Sequence, residues 1–454
     1  MRVDLSAIST PSSRRLFLRR VALAGGALAF PDVIPAAALG ADAQVAPSNR
    51  VAMGFIGMGR QALYANLPWH LSSRETQVVA VCDVDAWRLE QARQKVEAAY
   101  AAQRASGQFR GCAAYRDFRE VLARKDVDAV MISTPDHWHA YMAVAAARAG
   151  KDIALEKPIS LSVAEGRAIV NAVRQHQRVF RTDTEVRSEL KFLQLVQVVR
   201  NGLLGKVQRV LAGVPKDLAP LAQRPPAMPV PPDLDYDLWQ GPAPARPYTE
   251  QRVHPVRDAS KRPGWMMIRD YSQGMIANWG AHILDIVQWA LNTERTGPVE
   301  VEGTGVFPQD NLWDVLQDFQ VRYRYASGVE VFYSNAGRPF VRVEGAEGWI
   351  EHTWFKAEGF IASNEAWLSW KPGPNDISFP LLTEKQDFVN CVKSRRETMI
   401  PAEVGHRTTT LCQIGHIAIE VGGKLQWDPE AERFRNSEAA NRLLTRPSRA
   451  PWQV

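Results

Sequence analysis

The sequence predicts an α/β protein with two sheets: a doubly wound parallel sheet in its first half and an open, mostly antiparallel sheet in its second. Three observations carry the prediction. Val51–Ile56 is an apolar run that leads into Gly57-Met58-Gly59-Arg60-Gln61-Ala62, the pattern G-x-G-x-x-G/A. Apolar, strand-like runs then alternate with helical patterns as far as about residue 185. Beyond residue 299, Val299–Val306, Val315–Tyr325, Val329–Tyr333, Phe340–Val343 and Trp349–Thr353 follow one another as short alternating runs, as antiparallel strands do.

Taken in order, residues 1–45 stand apart from the fold. Ser13-Arg14-Arg15-Leu16-Phe17, the apolar Val21–Phe30 and Ala36-Ala37-Ala38 succeed one another as the basic, apolar and small segments of a twin-arginine export signal. The apolar part is too short to span a bilayer, and a disordered basic tail is the plainer alternative. Export predicts a periplasmic mature protein and a partner in the twin-arginine machinery. The chain's 454 residues suffice for two domains with a sizeable core, and 46 % apolar against 23 % charged residues is the balance of a soluble globular protein. A net charge of +6 without a basic cluster interleaved with aromatics gives no nucleic-acid footprint. Cys82, Cys112, Cys391 and Cys412 match neither a disulfide framework nor a zinc site, so no metal is expected; a Cys391–Cys412 bridge stays open.

Gly57 permits the tight turn after the first strand, Gly59 lets a pyrophosphate approach the backbone, and small Ala62 lets helix and strand pack closely. Phosphates would rest on the free N–H groups of Met58, Arg60 and their neighbours at the helix start. Gln77–Cys82 is the second strand. Asp83 ends it, 24 residues after Gly59, where a carboxylate accepts from the adenosine ribose and favours NAD over NADP. Arg88 could still reach a 2′-phosphate, and Asp83 could be a turn residue only. Residues 86–105 and Phe118–Leu122 are helical. Ala129–Ile132 is a strand before Thr134-Pro135-Asp136-His137-Trp138-His139, and Ile153–Leu155 is a strand before Glu156-Lys157-Pro158. Leu161–Gln175 is a helix and Val179–Thr182 a strand. Lys191–Arg200 connects to a second domain that starts at Val207–Val214. Residues 215–264, rich in proline and aromatics around Trp239, form a long loop suited to covering a site or wrapping a neighbour. Met275–Leu291 and residues 383–422 are helical, and the end of the chain is polar.

Ligands of a doubly wound sheet bind beyond the carboxyl ends of its strands, which brings Gly57–Arg60, Thr134–His139 and Glu156–Lys157 to one crevice. Lys157 follows a buried strand and is fixed by Pro158; from there it could take a hydroxyl proton as a hydride leaves the carbon. The alternative is a Glu156–Lys157 ion pair. Asn278 and His282, four apart on a helix, face one way. A histidine suits proton exchange with a hydroxyl, although on spacing alone a buried, hydrogen-bonded histidine is the commoner outcome.

GFIGMGRQA, STPDHWHA, LEKP and GMIANWGAHILDIVQW, in this order, resemble the Gfo/Idh/MocA family, named for glucose–fructose oxidoreductase and inositol dehydrogenase. WQGPAPARPY and QWDPEAERF resemble its exported members. The resemblance covers almost everything from residue 50 onward. It implies a Rossmann domain over 46–190, a substrate and oligomerisation domain over 191–430 and a tail over 431–454. It also implies homo-oligomers, and oxidation or reduction of a sugar or cyclitol hydroxyl with NAD or NADP. By position, Lys157 matches the lysine of the E-K-P motif, which contacts substrate and nicotinamide, and His282 matches the catalytic histidine. Thr134, Pro135 and His139 match the loop that lines the cofactor, and Arg187 a polar or basic position that often lines the site. Two departures stand out. Asn278 replaces the aspartate that many members carry four before the histidine, and Ser272-Gln273-Gly274 replaces a frequent glycine triplet.

The expectation is therefore a carbohydrate oxidoreductase. Because the periplasm offers no NAD pool, the cofactor is expected to stay bound and to be regenerated in place. The alternatives are an NAD-dependent glycoside hydrolase working through transient oxidation and elimination, and a nucleotide-bound sugar-binding protein without catalysis.

Overall fold

The computed structural model describes residues 49–454, and the export signal expected over 1–45 lies outside them. The first domain runs β1 (Val51–Ile56), a π-helical turn (Ala62–Asn66), α1 (Leu67–Ser72), β2 (Thr76–Cys82), α2 (Ala86–Ala99), β3 (Ala113–Tyr115) and α3 (Phe118–Ala123). It continues with β4 (Ala129–Ile132), α4 (Asp136–Arg148), β5 (Asp152–Glu156), α5 (Val163–Gln175) and β6 (Phe180–Asp183). Its six strands are parallel in the order β3-β2-β1-β4-β5-β6. β4 and β5 are buried at every position, because helices cover both faces of the sheet. Caps fix the helix starts: the Asp85 carboxylate accepts the Trp87 and Arg88 N–H groups, and Ser162 with Glu165 closes a capping box on α5. Strand order reverses between β1 and β4, and this opens a crevice at the carboxyl edge.

The second domain runs α6 (Leu190–Arg200), β7 (Val207–Gly213), α7 (Met275–Asn278), α8 (Gly280–Leu291), β8 (Glu300–Val306), β9 (Asp318–Arg324) and β10 (Glu330–Ser334). There follow β11 (Phe340–Gly345), β12 (Gly348–Thr353), β13 (Phe360–Ala362), α9 (Glu384–Ser394), α10 (Ala402–Val421), β14 (Leu425–Asp428) and β15 (Arg433–Phe434). Its nine-stranded sheet is ordered β13-β12-β11-β7-β10-β9-β8-β14-β15, antiparallel except where β7 lies parallel to β10. β9 alternates outward polar residues with buried Phe319, Val321 and Tyr323. These pack with Ile283 and Val287 of α8 and Leu411 of α10 in one core. No helix among the described residues is long and apolar enough to cross a membrane.

Several elements differ from the sequence expectation. β3, β13, β14 and β15 are too short to show a period and were not foreseen. The strand expected over Val315–Tyr325 begins only at Asp318, because Asp314 and Val315 bond the Met267 carbonyl instead. The helix expected over Met275–Leu291 is broken at Trp279. Residues 431–454, the expected tail, pack against the fold. They contribute β15 and a short helix (Glu438–Arg442), and buried Trp452 packs 4.9 Å from Trp138 and 5.4 Å from Tyr141 of α4. All four cysteines are free and buried, so Cys391 and Cys412 are unbridged.

Candidate active site

The crevice edge of the parallel sheet and the α7–α8 break of the second domain enclose a cleft of about 560 Å³, within the range of small-molecule sites. Gly57 has φ +86°, and a Cβ there would stand 2.8 Å from the Ser133 carbonyl, so only glycine lets β1 turn beside the β4 loop. Asp83 fastens this turn to the end of β2: its carboxylate accepts from the Met58 N–H at 2.6 Å and from the Asp85 N–H at 2.8 Å. Burial raises its pKa above the usual carboxylate value.

Lys157, directly after β5, donates to the Asn278 carbonyl at 3.1 Å. The helix break supplies that acceptor. The His282 N–H bonds the Trp279 carbonyl at 3.0 Å rather than reaching back to Asn278, which leaves the Asn278 oxygen to the lysine. Asn278 and His282 therefore do not share a continuous helix, yet both line the cleft. His282 Nδ1 lies 2.5 Å from Thr184 Oγ1, and no protein group among the described residues bonds its Nε2. Burial, and then the Lys157 charge, hold the imidazole pKa well below its usual value, so the ring is neutral. In the tautomer that donates from Nδ1 to Thr184, Nε2 carries a free lone pair.

Other expected residues stand as follows. Gly59, Arg60, Asp83, Thr134, Pro135, His139, Glu156 and Lys157 line the cleft. Met58 contributes only its backbone, its side chain being fully buried in the core. His139 spans two loops, with Nδ1 2.7 Å from the Pro158 carbonyl and Nε2 2.9 Å from the Thr134 carbonyl. Burial brings its pKa down to about 4. Glu156 accepts the Asn66 amide at 2.8 Å, and burial and then the Asp183 charge raise its pKa. Arg187 is a correction. Its guanidinium is buried against Asp285 at 2.7 and 2.8 Å and against Glu294 at 2.7 Å, outside the cleft-lining set. Asp285 sits three residues beyond His282 on the inward side of α8, and so draws the arginine into the core.

Sequence reasoning missed the aromatic wall. Trp279 and Phe355 line the cleft 6.1 Å apart, and Phe355 is 74 % exposed with φ +62°, an unusual backbone conformation for a bulky residue. It also missed Glu185, and it placed Asp136 in the crevice loop without giving it a role. Asp136 is buried, its pKa raised to about 7 mainly by burial. The long loop contributes Leu238 and Trp239 to the cleft lining, and a strap over residues 254–266 lines it further. His254 Nε2 lies 3.0 Å from Asp85 Oδ2, Arg88 donates to the Pro255 and Asp258 carbonyls at 3.3 and 3.0 Å, and Arg60 donates to the Ser260 carbonyl at 3.1 Å. Arg88 thus ties the strap through one guanidinium nitrogen, while its Nε has no hydrogen-bond partner among the described residues.

The donor set fits a dinucleotide. A Cβ on Gly59 would meet no atom within 4 Å, so this cleft position is open to a close-approaching group. Thr134 Oγ1 and Asp136 Oδ2, both on cleft-lining residues, are buried without a protein partner, the state of polar atoms that a bound polar molecule satisfies.

Comparison with known proteins agrees. Residues 51–184 match the Gfo/Idh/MocA "Oxidoreductase family, NAD-binding Rossmann fold", and residues 194–454 its "C-terminal alpha/beta domain". A glycosyl hydrolase family 109 protein of Saccharopolyspora erythraea is 30% identical over 215 residues, 44% of this chain and 45% of that one. The match thus spans about half of that relative's length. Two solved structures share the fold. The aldose-aldose oxidoreductase of Caulobacter crescentus complexed with glycerol has TM-score 0.60 and 17% identity, covering 83% of this chain and 99% of that one. The WlbA dehydrogenase of Bordetella pertussis in complex with NADH and UDP-GlcNAcA has TM-score 0.58 and 17% identity, covering 84% and 99%. With an NAD-binding Rossmann domain and a matched C-terminal domain that together take in nearly all described residues, the chain belongs to the Gfo/Idh/MocA oxidoreductase family.

Proposed function

We propose that the protein moves a hydride between a sugar or cyclitol hydroxyl carbon and a tightly held nicotinamide cofactor, NAD rather than NADP. The observation that carries this reading is the meeting of Lys157, held on the Asn278 carbonyl, with the neutral His282 imidazole in one cleft, beneath Trp279 and Phe355. When bound, the nicotinamide supplies a hydride acceptor. Lys157 holds positive charge beside the substrate hydroxyl, which favours its ionisation, and His282 Nε2 takes the proton. Trp279 and Phe355 offer aromatic faces to the apolar C–H face of a sugar ring. Asp83 would receive the adenosine ribose, Gly57 and Gly59 would admit the pyrophosphate, and Thr134 and Asp136 would bond polar groups toward the nicotinamide end.

Three finer points belong to the same reading. The twin arginine of residues 14 and 15 supports export to the periplasm, and the strap over residues 254–266 supports retention of the cofactor there. The open face of the nine-stranded sheet supports a homo-oligomer. An Arg88→Ala variant loses two hydrogen bonds from a charged donor, each worth about 1.5–3 kcal/mol. It should release nucleotide at least about tenfold faster during dialysis, and unchanged release would remove the strap from the account.

Purified protein, denatured, should yield stoichiometric NAD(H), and a screen of sugars should find one that produces the absorbance of reduced nicotinamide. Absence of any nucleotide, released or rebound, contradicts the reading. Glycoside cleavage without net NADH would move it to the oxidation–elimination hydrolase.

A further inference from the structure

The cleft contains a carboxylate that the mechanism above does not use. Glu185 follows β6 by way of Thr184 and opens the 3₁₀ turn Val186–Ser188, so it stands at the carboxyl edge of the parallel sheet where ligand groups gather. Its side chain is 48% exposed and lines the cleft, with Oε2 3.9 Å from His282 Nδ1. Among the described residues, no lysine or arginine pairs with it within 4 Å, and His282 is its one ionisable contact at that range. The other acids of the cleft are differently engaged. Asp83 is bonded by two backbone N–H groups, Glu156 accepts the Asn66 amide, and Asp136 is enclosed. Asn278, which lines the cleft at the end of α7, carries an amide and has no charge to offer.

We propose that Glu185 is the counter-charge of His282, stabilising the imidazolium that forms when the ring takes the substrate hydroxyl proton. The proposal rests on the dehydrogenase reading above. In the step, the substrate O–H bond breaks and an N–H bond forms at His282 Nε2. The carbinol C–H bond breaks with its electron pair leaving as hydride to the nicotinamide, and C=O forms. One positive charge thereby appears on a ring that burial and Lys157 otherwise keep neutral. A carboxylate at this range offsets that cost, and the proton returns to solvent or to product when the hydride is given back. Glu185 acts through His282 and is a positioning residue.

Three charged groups bear on its own ionisation, Lys157 from the β5 edge, Asp183 at the end of β6 and Glu384 from α9, and the neutral His282 of α8 faces it at 3.9 Å. Although the side chain is half exposed, desolvation by the enclosing cleft walls is the largest influence and raises its pKa above the ordinary glutamate value, with Asp183 and Glu384 pushing the same way and Lys157 opposing. Below that pKa Glu185 is neutral and the counter-charge is lost, so kcat falls on the acid side.

Glu185→Gln and Glu185→Asp variants test this in the nucleotide-loaded protein. An opposite charge at this range is worth about one to three pKa units, so Glu185→Gln should lower kcat about 10–1,000-fold with KM and nucleotide content little changed. It should also flatten the acid limb of the pH profile, and Glu185→Asp should recover part of the loss. A second readout needs no turnover. In protein carrying nitrogen-labelled histidine, the His282 resonances should move with pH through the Glu185 ionisation in the wild type and stay still in Glu185→Gln. A Glu185→Gln enzyme with wild-type kcat and an unchanged acid limb, or a His282 titration indifferent to the substitution, overturns the proposal. A wild type whose bound nicotinamide is reduced by none of the sugars overturns the dehydrogenase reading instead, and the resonance experiment then still decides whether the two side chains are coupled.

Discussion

Replacing Lys157 with Met lowers kcat by about 10²–10⁴-fold, the range of a positioned acid–base group, while the protein stays folded and keeps its nucleotide. The methionine retains most of the apolar stem and removes the charge, so the Lys157–Asn278 hydrogen bond is lost and the Asn278 carbonyl turns to water in the cleft. The loss should appear equally in kcat and kcat/KM, because the missing charge matters most as the hydroxyl oxygen becomes anionic. Its electrostatic neighbours respond as well. Lys157 lowers the pKa of Asp136 and of Glu185 and disfavours protonation of His282, so its removal lets both carboxyl pKa values rise and eases the imidazolium. A Lys157→Met enzyme with near-wild-type kcat would mean that the lysine is only a strut between the domains.

The second large effect falls on stability. Arg187 lies 3 % exposed, bidentate on Asp285 (1 % exposed), bonded to the Met399 carbonyl at 3.0 Å and stacked 4.8 Å over the Trp289 ring. Arg187→Met leaves the Asp285 carboxylate buried without its partner, which costs about 3–5 kcal/mol. The urea midpoint should fall accordingly, with cofactor content per folded molecule unchanged. A residue that lined the cofactor site would behave the opposite way, losing nucleotide at little cost in stability. The substitution thus separates the position's structural role from the site role that family resemblance implied.

The contrast shows what a sequence can and cannot carry. The parallel domain was legible because its strands are continuous apolar runs ending in glycine, proline or acid, and Ala129–Ile132 is a strand with the bounds that its composition suggests. Lys157 and His282 were legible as strand-end and helix positions. The helix break at Trp279 was not, since nothing in GMIANWGAHIL announces that the Asn278 carbonyl leaves its helix for a lysine 121 residues away. Arg187 shows the converse failure: an arginine near a site in sequence order reads as a ligand contact, and only the inward carboxylate of Asp285 reveals its use. Phe355 and the strap residues come from loops, where no period marks them and only the packing of distant segments brings them to the cleft.

One measurement goes straight to hydride transfer within this cleft. Nucleotide-loaded protein would be mixed with a turned-over sugar that carries deuterium at its reacting carbon, then denatured, and the released nucleotide weighed by mass spectrometry. The account predicts deuterium on the nicotinamide ring of the released NADH, abolished or strongly slowed by Lys157→Met. Turnover of the sugar with an unlabelled nucleotide would contradict it.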